Sequence, residues 1–242
     1  MIGLRRRRGG LEGDRVAIRT AWQCASLLLS YPDATVRSAL PAVRQACSAL
    51  PPAYGVPLDR LAASLQADPQ AEISYVETFD HTRKCSLYLT FFSCGDTRKR
   101  GVALVRFKQA YRASGVEVSD DELPDHLSVL LEFGATVDAD AAWRLLVEHR
   151  VALEMLRLAL AHRRSRWADA LEAVCATLPA LDGTGIDAVR RLLAEGPPAE
   201  EVGLEPYGAD PQLSSYHPDH APHREPVLVG MPTGGAAGGG RS

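Results

Sequence analysis

The chain has 242 residues, of which 46% are hydrophobic and 24% are charged. This is the composition of an ordinary globular domain with some additional chain. The formal net charge of -3 argues against nucleic acid as a partner, because nucleic-acid-binding domains usually present a strongly basic surface.

Cysteine usage and the N-terminus indicate the compartment. The five cysteines form no CxxC pair, so neither a disulfide framework nor a zinc site is indicated. The arginine run 5–8 is followed by glycines and acids where the apolar part of an export signal would begin. The most apolar stretch, 25–29, is far shorter than the roughly 20 residues that span a bilayer. We expect a cytoplasmic protein without stable membrane insertion.

Helical spacing of apolar residues continues along most of the chain, and prolines and glycines separate the segments. Residues 1–13 are predicted to form a flexible basic N-terminus, and residues 14–195 a helical domain. The predicted helices cover 14–31, 33–50, a segment from 57 or 58 to 67, and 69–93, then a helix capped by Asp96 or Thr97, then 127–137, 139–162, 166–178 and 186–195. Strand-like alternation is almost absent, so the sequence predicts an all-α, single-domain helical bundle.

Three local signals mark the ends of these helices. Asp33 can cap the second helix, and Gly95 can end the fourth. Ser119 and Glu122 have the spacing of a capping box ahead of the helix at 127–137.

Composition changes after Glu195. Eight of the 16 prolines lie beyond it, in a segment with few large apolar residues that ends GGAAGGGRS. Such a segment cannot bury enough apolar surface to offset its ordering entropy, so residues 196–242 are predicted to be a disordered tail. His217, His220 and His223 lie in this tail, but the intervening prolines argue against a metal site there.

The fourth predicted helix carries an aromatic stripe. Tyr75 and Phe79 lie four residues apart, as do Leu87 and Phe91, so each pair shares a helix face. Polar residues 80–84 interrupt the stripe halfway along.

Two interpretations of this interruption stay open. Ordinary core packing explains the aromatic residues, and a surface pair of Asp80 with Lys84 explains the polar turn. Alternatively, Tyr75, Phe79, Asp80 and Tyr88 face a partner.

A second run, LPDHLSVLLEF at 123–133, mixes ionisable and apolar groups at a predicted helix start. Pro124 and Asp125 both suit a helix N-terminus, so a capping role for Asp125 competes with a binding role. The run sets three ionisable residues among large apolar ones, namely Asp125, His126 and Glu132 among Leu127, Leu130, Leu131 and Phe133. This mixture suits a groove for a helix that is apolar on one side and basic on the other.

The segment GDTRKRG at 95–101 breaks a local rule. Arg98, Lys99 and Arg100 lie in the first turn of a predicted helix, where the helix dipole favours acids. The cluster is either an anion site at a helix N-terminus or part of a solvated surface.

Together these clusters resemble the NarJ family of cytoplasmic assembly chaperones of respiratory nitrate reductase. The resemblance covers about residues 16–165 and is strongest in GDTRKRG and LPDHLSVLLEF. It implies a helical chaperone that binds the N-terminal segment of the apo catalytic (alpha) subunit and keeps it competent for molybdenum cofactor insertion. It implies no catalysis and no bound cofactor or metal, and it suggests molybdenum cofactor delivery proteins as further partners.

The resemblance also implies a client-peptide groove. Its expected residues are Tyr75, Phe79, Asp80, Leu87, Tyr88, Phe91, Asp125, His126, Leu127, Leu130, Glu132 and Phe133. In the same family context, Arg98, Lys99 and Arg100 are candidate contacts for the molybdenum cofactor, a phosphate-bearing pterin nucleotide.

An enzyme is the alternative from another class. His81 and His126, each preceded by an aspartate, suggest a helical metal-dependent phosphohydrolase. Those enzymes need His-Asp on a helix and further ligands, whereas both dipeptides here read Asp-His.

Overall fold

The computed structural model describes residues 8–95, 97–117 and 122–198, with side chains from residue 14 onward. Within these ranges the chain forms eleven α-helices and one 3-10 turn, with no strand beyond a single isolated bridge. The predicted all-α fold is therefore confirmed. Residues 1–7 of the predicted N-terminus and 199–242 of the predicted tail lie outside the described residues. No helix in the described part of the chain has both the length and the apolar character needed to cross a membrane.

The helices follow one another with short connections. The first six are α1 (Arg8–Leu29), α2 (Ala34–Ser48), α3 (Pro52–Ala67), α4 (Ala71–Phe79), α5 (Leu89–Cys94) and α6 (Arg98–Ala113), and the 3-10 turn at Arg83–Cys85 separates α4 from α5. The remaining five are α7 (Leu127–Thr136), α8 (Ala139–Glu148), α9 (Arg150–His162), α10 (Ala168–Ala176) and α11 (Gly183–Glu195). Helix α1 begins at Arg8, six residues before the predicted start of the helical domain.

Helix α1 packs against α2, α3, α7 and α10 and so occupies the centre of the bundle. Its Trp22 is buried, and the indole Nε1 donates to Thr177 Oγ1 at 2.9 Å. Gly134 allows α7 to approach this ring closely, because a Cβ at that position would lie 2.7 Å from Trp22 Cε3 and 2.6 Å from the Ala142 Cβ. Helix α7 therefore packs closely against both α1 and α8 at this position.

Helices α2 and α3 form a hairpin. Asp33 caps α2 as predicted, since its Oδ1 accepts from the Val36 amide at 2.8 Å. The predicted start of the third helix at residue 57 or 58 was wrong. Helix α3 begins at Pro52, because proline fits the first helical position, where its missing N–H has no partner to lose.

Two predicted long helices are each broken in the structure. The segment 69–93 consists of α4, the 3-10 turn and α5, because the polar residues 80–84 offer no apolar face to bury. The segment 139–162 divides into α8 and α9 at His149, whose Nδ1 lies 2.9 Å from the Leu145 carbonyl and whose ring packs 5.0 Å from that of Phe107. Gly95 ends α5 as predicted, with φ of 58° and its amide donating to Phe91 O at 2.7 Å.

Candidate functional site

A groove with a volume of about 630 Å³ lies where α4, α5, α6 and α7 meet the end of α1. Eight of the twelve residues predicted for a binding groove line it: Tyr75, Phe79, Asp80, Leu87, Tyr88, Phe91, His126 and Glu132. The structure thus brings the two sequence clusters, 75–91 and 126–132, to one surface.

The other four predicted residues lie behind the groove wall. Asp125, Leu127 and Leu130 are 0% exposed and Phe133 is 5% exposed. Their placement in the groove was wrong, because the apolar positions of α7 at this spacing face the core beside α1. Phe133, for example, packs edge-on against Tyr111 at 4.6 Å between ring centroids.

The floor of the groove is an aromatic cluster that also belongs to the core. The Tyr75 and Phe79 rings lie 4.7 Å apart and each contacts the buried Trp167 ring. Tyr75 Oη donates to Leu29 O at 2.9 Å, and Trp167 Nε1 donates to Leu28 O at 3.1 Å. Both bonds satisfy carbonyls at the C-terminal end of α1, which have no partner within the helix. Tyr75 and Phe79 therefore both pack in the core and line the groove.

Tyr88 and His126 join the two walls of the groove. They form an isolated antiparallel bridge, in which the Leu89 amide donates to Asp125 O at 3.2 Å and the Leu127 amide donates to Leu87 O at 2.9 Å. The two rings meet edge to face at 5.2 Å. This bridge fixes the start of α5 beside the start of α7.

Asp125 has a structural role that sequence reasoning missed. Its Oδ2 accepts from the Thr90 amide at 3.0 Å and from the Thr90 hydroxyl at 2.6 Å. It therefore caps α5 from a distant part of the chain, whereas His126 is the N-cap residue of its own helix, α7. No sequence spacing links Asp125 to Thr90, so only the fold identifies this contact.

Arg100 continues this polar network into the groove. Its Nε donates to Thr90 Oγ1 at 3.2 Å, and its Nη2 lies 4.0 Å from Asp125 Oδ2. The guanidinium also lies over the Tyr88 ring, 5.4 Å from the centroid, a cation–π arrangement.

The predicted basic cluster therefore divides into two parts. Arg100 is half-buried and lines the groove, while Arg98 and Lys99 are exposed on α6.

Glu122 also lines the groove, although the sequence indicated a capping role for it. Its Oε1 accepts from Tyr88 Oη and from the Leu123 amide, each at 2.9 Å. Burial raises the pKa of the Tyr88 phenol to about 12, and Glu122 adds to the effect. The predicted capping box was wrong at Glu122, because α7 begins only at Leu127, and Ser119 lies outside the described residues.

The groove has a mixed polar rim over its aromatic floor. Asp80 and Glu132 are exposed carboxylates on it, and Arg83 contributes a cation. The predicted helical surface pair of Asp80 with Lys84 was wrong in geometry, because α4 ends at Phe79 and the i,i+4 spacing is lost. Tyr31, placed after α1 and edge-on to Tyr75 at 5.6 Å, completes one side.

His126 is a half-buried titratable residue that lines the groove. Burial lowers its pKa, and the nearby carboxylates of Glu122 and Asp125 oppose that effect. Its Nδ1 is buried and has no hydrogen-bond partner among the described residues. His81 is exposed in the turn after α4, and no group of three metal-ligating side chains occurs in the described ranges.

The fold and this groove define an all-helical protein with an aromatic-floored, polar-rimmed surface groove. The family model described as nitrate reductase delta subunit matches residues 38–173. The chain belongs to that family.

Three relatives give this membership more detail. The chain is 33% identical over 175 residues to the probable nitrate reductase molybdenum cofactor assembly chaperone NarJ of Bacillus subtilis, covering 68% of this chain and 90% of the relative. It is 35% identical to the nitrate reductase molybdenum cofactor assembly chaperone NarJ of Escherichia coli, covering 59% and 63%. It is 40% identical to the nitrate reductase-like protein NarX of Mycobacterium tuberculosis over 64% of this chain, but it spans only 24% of that relative's length.

A solved structure agrees with these sequence relatives. A protein from Archaeoglobus fulgidus, for which a role in redox enzyme maturation is proposed, aligns with a TM-score of 0.50 and 25% identity over 65% of this chain and 91% of its own. The comparisons favour the chaperone interpretation of the sequence and give no support to the phosphohydrolase alternative.

Proposed function

We propose that this protein is a cytoplasmic assembly chaperone for respiratory nitrate reductase. It binds the N-terminal segment of the apo catalytic subunit and keeps that subunit competent for molybdenum cofactor insertion, without catalysing a reaction itself. Family membership and the relatives' names support the class of client. The groove supports the mode of binding.

The observation that carries the proposal is the combination of an aromatic floor with carboxylates on the rim. Phe79 and Tyr75 offer apolar contact area, while Asp80 and Glu132 stand at the surface beside it. A helical segment that is apolar on one face and basic at its edge matches both features, as in other helix-in-groove complexes. The half-buried Tyr88 stands between floor and rim, which suits an anchor for such a helix.

The basic residues of α6 have a separate place in this proposal. Arg98 and Lys99 are exposed outside the groove, where they remain candidate contacts for the cofactor or for a cofactor delivery protein. Arg100, held by Thr90 and stacked over Tyr88, instead shapes the wall of the groove.

Calorimetry with a synthetic peptide from the N-terminus of the catalytic subunit tests the groove. The double variant Asp80→Asn, Glu132→Gln should bind about fivefold more weakly, since two exposed ion pairs contribute about 1 kcal/mol together. The salt dependence of binding should also decrease, because rim charges act mainly through long-range attraction.

The matched control is Asp187→Asn, Glu77→Gln, which removes the same two charges at exposed positions that do not line the groove. Its affinity and salt dependence should equal those of the wild type. Equal weakening in both double variants would refute the groove assignment and indicate a general charge effect. Failure of the catalytic subunit to co-purify with the full-length wild type would refute the proposed client.

A further inference from the structure

A second and larger cavity, of about 930 Å³, lies between α5, α9 and α11. Its walls are mainly apolar and include Phe91, Phe92, Met155, Leu158, Leu192 and Leu193. Leu193 is 59% exposed at its edge. A cavity with such walls binds apolar groups more strongly than it binds water.

The end of α11 brings the chain back over α5 at this cavity. Pro198 lies so close to Gly95 that a Cβ on Gly95 would be 1.7 Å from the Pro198 carbonyl oxygen. Gly95 also has φ of 58°, which favours glycine. The cavity wall formed by residues 192–198 is therefore held against the C-terminal end of α5.

This cavity adjoins the groove described above. Phe91 and Arg83 line both spaces, so one aromatic ring forms a wall common to the two. An occupant of the groove that extended past Phe91 would meet the apolar cavity.

The rim of the cavity carries both signs of charge. Arg83 and Lys84 contribute cations, and Glu195 contributes one carboxylate. Among the described lining residues the basic side chains outnumber the carboxylate, which favours a ligand that presents an acid next to its apolar part.

We propose that the cavity is a second subsite for the same client polypeptide, which rests on the function proposed above. The first part of the segment occupies the groove beside Asp80 and Glu132. A following apolar stretch, with an acidic residue near it, occupies the cavity between Phe92 and Leu193. Met155 suits this role, because an unbranched thioether side chain adapts to varied apolar partners.

Peptide length provides the test. Calorimetry on the full-length protein compares a peptide of about 15 N-terminal residues of the catalytic subunit, about 22 Å long as a helix, with one about twice that length. The longer peptide should bind at least about tenfold more tightly, because burial of a single large apolar side chain is worth about that factor.

The variant Leu193→Glu places a charge at the exposed edge of the cavity, where folding is little affected. It should remove the advantage of the longer peptide and leave the affinity of the shorter one unchanged. The control is Ile73→Glu, at a position 58% exposed on α4 that lines neither space, and it should bind both peptides as the wild type does.

Several results would overturn the second subsite. If both peptides bind the wild type equally, the subsite is refuted while the groove stands. If Leu193→Glu weakens both peptides by the same factor, the two spaces do not act as separate subsites. If oleate binds the wild type but not Leu193→Glu, and the longer peptide gains nothing, the cavity belongs to a free fatty acid. If neither peptide binds the wild type, both the proposed client and the second subsite are refuted.

Discussion

Replacement of Asp125 by alanine should destabilise the whole bundle, although Asp125 lies directly beneath the groove. The side chain is 0% exposed and its Oδ2 accepts both hydrogen bonds described above, from the Thr90 amide and hydroxyl. Hydrogen bonds to a charged group contribute about 1.5 to 3 kcal/mol each. Loss of both, with the Thr90 amide left buried and without its acceptor, should cost about 3 to 6 kcal/mol.

Urea unfolding followed by circular dichroism at 222 nm measures this loss. The loss should be a large fraction of the total stability, because domains are typically stable by only about 5 to 15 kcal/mol. Asp125→Asn retains one acceptor oxygen for the Thr90 amide and should lose about 1 to 2 kcal/mol. Asp80→Asn makes the same chemical change at an exposed position and should stay within about 0.5 kcal/mol of the wild type.

The reasoning fails if Asp125→Ala unfolds within about 0.5 kcal/mol of the wild type. Asp125 would then not be the cap of α5 that the geometry indicates. If Asp125→Asn instead weakens peptide binding while stability is unchanged, the residue acts on the client and not on the fold.

Two further predictions concern packing and pH. Gly134→Ala should lower the free energy of unfolding by about 1 to 3 kcal/mol in thermal or urea unfolding, since the new methyl group would overlap Trp22 and Ala142. The control Gly101→Ala, at a position with open space around it, should be neutral or stabilising. Equal effects of the two substitutions would refute the close packing of α7 on α1. Burial lowers the pKa of His149 and of His126 below the unfolded value of about 6.5. Below that pH the unfolded chain therefore binds more protons than the folded chain. The free energy of unfolding should then fall as the pH decreases from about 7 to about 5.5, by at most about 1.4 kcal/mol per pH unit per histidine. His149→Gln should flatten that slope, and an unchanged slope in this variant would contradict the assignment.

Local signals in the sequence predicted most of the fold. Asp33 caps α2, Gly95 ends α5, and helical spacing without strand alternation gave the all-α class. One error lies at a proline, since α3 begins at Pro52, and two lie where a helix breaks without proline or glycine. The helix breaks at the polar run 80–84, which offers no apolar face to bury, and at His149, whose ring contact with Phe107 is a tertiary contact that periodicity does not encode.

The sequence predicted which residues share a surface, but not how deeply each of them is buried. Residue pairs such as Tyr75 and Phe79 could be assigned to one face from their spacing alone, and they do share the groove floor. The depth of each residue could not be assigned, since Leu130 and Phe133 have the same apolar pattern whether they face a partner or the core. The residues that join distant segments, Tyr31, Glu122 and Arg100, have no local signal because their partners lie 10 to 41 positions away.

The bridge between Tyr88 and His126 has a consequence for how the groove arises during folding. The residues are far apart in sequence, and neither wall is complete until both segments have met, so loop-closure entropy must be overcome before the groove exists. The aromatic floor belongs to the central packing, because Tyr75 and Trp167 bond to the end of α1. A local opening that separates α5 from α7 would therefore erase the groove while the central helices stay packed, which makes the Leu89 and Leu127 amides natural reporters of an assembled site.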